Sequence, residues 1–142
     1  MAIIQTLTTS FKVEVAQGLH NFTTGTGNVF KLALYTANAD LGASTTAYTT
    51  SGEVSGTNYT AGGITLTNIT PSFQGTTSYW SFQDVTFTNV TLTTNGALIY
   101  NSTNGNRSVA VLNFGVNITK TAQNLVITFP VNDATNAVLR IA

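Results

Sequence analysis

Apolar and polar side chains alternate over Val29-Phe30-Lys31-Leu32-Ala33-Leu34-Tyr35-Thr36. Phe30, Leu32 and Leu34 face one way, and Lys31, Ala33 and Tyr35 the other. That is the two-residue period of a β-strand. Similar runs occupy Ile64-Thr65-Leu66-Thr67, Tyr79 to Asp84, Val85 to Thr88, Ala97 to Tyr100, Ser108 to Phe114, Leu125 to Val131 and Ala137 to Ile141. The period slips by one between Phe87 and Val90, and a bulge or bend at Asn89 would restore it for Val90 and Leu92. Thr94-Asn95-Gly96 carries the Asn-Gly hairpin signal, with 97–100 as the returning strand. Asn104-Gly105-Asn106 is a second such turn. Residues 115–124 read as a polar connection, and Pro130 belongs at a strand end or an edge. Helical spacing appears only near the start: Ser10 as N-cap, Phe11, Val15 and Leu19 on one face, and Gly18 as a left-handed C-terminal cap. Residues 1–9 read as an extended arm and 21–28 as a turn.

Residues 37–63 have no consistent period. The end of this segment, Ser51 to Gly63, carries four glycines, and Tyr48, Val54 and Tyr59 favour an ordered loop over a disordered one. Tyr59 is the expected pin between loop and body. The whole pattern predicts one all-β domain over residues 1–142. It is a β-sandwich of about eight antiparallel strands, with one short N-terminal helix and a long glycine-rich loop.

Composition sharpens this picture. Charged residues are only 7% of the chain, formal net charge is zero, and apolar residues make up 42%. The longest apolar runs are far short of the ~20 residues a spanning helix needs, so no membrane partner is expected. Threonine is roughly a fifth of the chain and favours strands. So little charge gives weak protection against self-association, which suits a surface covered by copies of the chain or by a partner. There is no cysteine, so disulfides and thiolate metal sites are excluded. The opening residues Met1 to Thr8 lack a basic region and an apolar core, so no secretory signal is expected.

Candidate chemistry is sparse. His20 is the single histidine and reads as a surface or loop residue at the end of the helix; a metal pair or a serine triad would need more. The carboxylates are Glu14, Asp40, Glu53, Asp84 and Asp133. A glycosidase would need two of them close together, with Glu53 and Asp84 the pair to consider; five scattered acids fit solubility alone. Gly25-Thr26-Gly27 lacks the context of a phosphate loop. Five unclustered cations argue against nucleic acid. Tyr79, Trp80, Phe82 and Phe87 form either a carbohydrate-stacking platform or strand residues of the core, and their alternation with Ser81, Gln83 and Thr86 favours the core. A non-enzymatic module without cofactor or metal is expected.

The order of several segments resembles a family of small proteins encoded in tailed-bacteriophage genomes. The most specific is Glu53-Val54-Ser55-Gly56 followed by Tyr59-Thr60-Ala61-Gly62-Gly63. Others are Val29 to Thr36, Thr46 to Thr50, Asp84 to Phe87, Gly96 to Tyr100, Arg107 to Gly115, Phe129-Pro130 and Ala134 to Ile141. The resemblance covers the chain from about residue 10 to its end. It implies a virion structural protein, most like a capsid decoration or cement protein, with a tail- or fibre-associated protein as the alternative. The implied partners are the major capsid protein and further copies of the chain, with a trimer favoured, and the implied location is the capsid surface of the virion. The arm and the loop are then the expected anchors, and Ile3, Ile4, Leu7, Glu53 and Tyr59 the candidate assembly interface.

Overall fold

The computed structural model describes residues 2–142. The elements in chain order are β1 (Thr6–Leu7), α1 (Thr9–Ala16), β2 (Phe30–Tyr35), β3 (Ile64–Thr65), β4 (Asn68–Gln74), β5 (Thr77–Phe82), β6 (Val85–Asn101), β7 (Arg107–Ile127) and β8 (Leu139–Ile141). They form two antiparallel sheets, ordered β1-β7-β6-β2-β3 and β4-β5-β8. The expected all-β, sandwich-like architecture is the observed one.

The main core lies between the sheets. Phe30, Leu32, Leu34, Val90 and Ile99 meet Trp80, Phe82 and Leu139 there, and the Phe22 and Phe30 rings stack 4.3 Å apart. Trp80, Phe82 and Phe87 are all buried, so these aromatics are core side chains and not a stacking platform. A second cluster sits on the other face of the five-stranded sheet, where Ala33, Tyr35, Leu98, Tyr100 and Val111 meet Ile3, Ala39 and Leu41. The arm and the loop residues Ala39 to Tyr48 thus cover that face as a third layer, while Val54 and Tyr59 of the same loop pack with the main core, which is why β2 is buried on both faces except at Lys31. Each large apolar side chain so covered contributes about 1.5–3 kcal/mol.

Several local expectations are corrected. The Asn95-Gly96 pair is not a turn: β6 continues through it, with a register shift against β7 between Thr94 and Gly96 and with Gly96 opposite both Tyr35 and Asn113. A Cβ on Gly96 would lie 2.5 Å from the Leu112 carbonyl oxygen and 2.9 Å from Ile3 Cγ2. Gly96 therefore makes room for the arm, the other meaning of glycine inside a strand. Residues 115–124 are not a connection but the middle of β7. Beyond Val111 the outer side of β7, away from β6, has no strand partner among the described residues. Lys120 and the positive-φ bulge residue Ala122 (φ 51°) blunt it against strand addition. The slip near Phe87 is a bulge as expected, with Asn89 at φ 52°.

The chain also holds an unforeseen strand, β4, whose Pro71 is tolerated because β4 is an edge and its register shifts between Ile69 and Ser72. The helix begins earlier than expected. Thr8, not Ser10, is its N-cap, accepting the Phe11 N–H, and Gly18 adopts φ 73° just beyond its end. Its buried positions are Phe11 and Glu14, whereas Val15 and Leu19 are only half-buried.

Candidate functional site

The glycine-rich loop closes around a single carboxylate. Glu53 is carried back to the end of β2 by the Val54 N–H to Leu34 O bond of 2.9 Å and by an antiparallel bridge with Tyr35. Its Oε1 accepts from Tyr48 Oη at 2.6 Å, and its Oε2 accepts from Tyr59 Oη at 2.7 Å and from the Gly62 N–H at 2.8 Å. Tyr59 Oη in turn accepts the Leu34 N–H at 2.9 Å, and its ring packs 5.8 Å from Phe87. Tyr59 is thus the pin that the loop's composition suggested. Tyr100 donates to the Gly62 carbonyl at 2.6 Å and stacks on Tyr48, with ring centroids 4.8 Å apart. Tyr35 donates to the Thr49 carbonyl at 2.6 Å.

Burial raises the pKa of Tyr35, Tyr48 and Tyr59 well above the ordinary tyrosine value and raises that of Tyr100 too, and the nearby Glu53 charge adds to it. The sign of the linkage follows. The folded state keeps its phenolic protons where the unfolded chain loses them, so stability is intact below about pH 10 and falls above it. Tyr35 and Tyr59 together should remove about 3 kcal/mol of unfolding free energy per pH unit in that alkaline range. Denaturation midpoints measured between pH 9 and 11 test this. A flat profile would show that the phenols ionise freely in the folded protein.

A second polar cluster clamps the helix to the turn between β6 and β7. His20 is buried, not a surface residue, and lies 5.0 Å from the Phe11 ring. The Asn101 side-chain oxygen accepts the Thr103 and Asn104 N–H groups at 3.1 Å each, which turns its NH2 toward His20 Nδ1 at 3.1 Å. His20 Nδ1 is therefore an acceptor, and its Nε2–H donates to Glu14 Oε1 at 3.0 Å. Arg107 Nη1 donates to Glu14 Oε2 at 2.8 Å. Both imidazole nitrogens are committed, so neither is left to take a proton from a nucleophile. Asp84 is likewise engaged, accepting the Phe129 N–H at 2.8 Å, and it shares no hydrogen-bond partner with Glu53.

Among the sequence-predicted interface residues, the structure joins Glu53 to Tyr59 but strings the other three along the arm. Ile3 is buried against this chain's own second cluster. Ile4 is 61% exposed beside an open groove of about 650 Å³ that Asp40, Ser44 and Tyr48 also line. Leu7 is half-buried, and β1 pairs with this chain's own β7 through Thr6↔Val111 and Leu7↔Ala110. No family model, curated protein or solved structure matches the chain. Tyr48 and Gly62, which sequence reading left out of the site, are neighbours of Glu53 in a glycine-rich loop; a lone acid flanked by tyrosines was their only signal.

Proposed function

We propose that this chain is a non-enzymatic structural protein of a tailed-phage virion. It binds the outer capsid surface as a homo-oligomeric decoration or cement protein. The observation that supports this reading is the surface: Ile4, Phe73, Val116 and Val131 are 61%, 74%, 64% and 69% exposed on a chain with five basic and five acidic residues. Such a surface gains by being covered, and neutral contacts of threonine and backbone hold with little sensitivity to salt. The segment order around Glu53 to Gly63 supplies the phage context. A cement protein acts by binding only the assembled shell and so stabilising it by mass action.

The test is to strip the protein from purified heads and to heat stripped and re-decorated shells side by side. Stripped heads should break at a lower temperature, and adding the protein back should restore them. Finding the protein only on detached tails would overturn the head assignment.

A further inference from the structure

β1 and β8 are edge strands, one of each sheet, and residues of both line one groove of about 320 Å³ beside α1. Its floor is apolar: Phe11, Trp80 and Leu139 are buried, with Leu7 and Val15 half-buried beside them. Its mouth carries two exposed cations, Lys12 and Arg140. These are two of only five basic side chains in the chain, and among the described residues neither has a carboxylate within ion-pair distance. Arg140 Nη1 donates to the Thr135 carbonyl, and the acids nearest the two cations in sequence are hydrogen-bonded to other groups. Glu14 is held by His20 and Arg107, and the Asp133 carboxylate is held by Thr135 and Asn136. Trp80, 6% exposed, has an indole N–H without an acceptor.

We propose that this groove docks an extended acidic–apolar segment of the capsid partner. The segment lies along the free edge of β8, with an aliphatic side chain on the apolar floor and a carboxylate between Lys12 and Arg140. Charge complementarity selects this occupant: two cations without a carboxylate partner above an apolar floor favour a chain that brings its own anion. The free edge supplies the backbone contacts of strand addition. Only the identity of the partner rests on the capsid reading; the chemistry of the groove does not.

Trp80 is the single tryptophan, so its indole N–H resonance reports on the groove floor without interference. The probe is the acetylated, amidated hexapeptide Thr-Val-Thr-Asp-Thr-Val, compared with its Asn counterpart. The acidic peptide should shift the Trp80 signal saturably and bind at least about tenfold more tightly than the neutral one. The Lys12→Glu/Arg140→Glu double variant should lose this preference, while Lys31→Glu/Lys120→Glu, with the same change in net charge, should keep it. Equal binding of the two peptides, or an unmoved Trp80 signal, would overturn the proposal. So would self-association abolished by the double variant, which would assign the groove to a second copy. On heads, the double variant should show reduced occupancy. If the unaltered protein also fails to bind heads, the capsid reading falls while the peptide result still decides the groove.

Discussion

Replacing Glu53 with alanine should lower the unfolding free energy by about 3 kcal/mol, a large part of the 5–15 kcal/mol typical of a domain. The substitution removes the acceptor for Tyr48 Oη, Tyr59 Oη and the Gly62 N–H at once. Charge-assisted hydrogen bonds are the stronger kind, but this carboxylate is only half-buried, so water recovers part of each. Glu53→Gln should fall in between, because an amide presents one acceptor oxygen where the carboxylate presents two. Urea denaturation of the three proteins measures the difference. The β-body should still unfold cooperatively with an unchanged slope, since Glu53 secures the loop and not the inter-sheet core. A loss below about 1 kcal/mol would mean that water replaces the carboxylate fully.

Gly63→Ala should be at least as damaging, at about 3–5 kcal/mol. Gly63 sits at φ +83°, and an added Cβ would stand 1.9 Å from the Leu32 carbonyl oxygen and 2.5 Å from its carbonyl carbon. Those are backbone atoms of a strand buried on both faces, so they have nowhere to go. The adjacent Leu32↔Ile64 pairing would give way first. Gly75→Ala is the control: its φ is also positive, at +61°, but nothing lies within 4 Å of the added carbon. It should cost about 1–2 kcal/mol, the left-handed backbone penalty alone. Equal losses at the two sites would show that backbone strain, and not the close approach to β2, explains Gly63.

The architecture was legible because alternation is a property of each strand by itself. Phe30 to Tyr35 and Val109 to Val111 announce themselves without reference to the rest of the fold. The errors came where distant chain decides. Asn95-Gly96 looks like a turn locally, but the glycine answers to Ile3, which the arm brings from the other end of the sequence. Residues 115–124 look like a loop because only Val116 and Ile118 are large and apolar among glycine, asparagine, threonine and lysine, yet Ile118 to Lys120 and Gln123 pair with β6. β4 lacks a clean alternation and holds Pro71, a residue that a strand tolerates only at an edge or a bulge. Of the site, Tyr59 was readable as an aromatic anchor among glycines. The role of Glu53 was not, because only the fold turns that carboxylate toward two phenols. His20 was misplaced for a similar reason: burying an imidazole needs partners, and its partner Asn101 lies far along the chain.

The pairing of the arm with β7 has a consequence for the order of assembly. The β6–β7 hairpin closes over a short turn, so its contacts form at little loss of chain entropy. The arm's contacts are among the least local in the protein, as in the Thr8–Ser108 bond across 100 residues. During synthesis the arm leaves the ribosome before β6 and β7, yet its seat beside Gly96 and β7 does not exist until the hairpin has emerged. The arm is thus made before its seat and is among the last segments to be placed, and until then Ile3 remains uncovered.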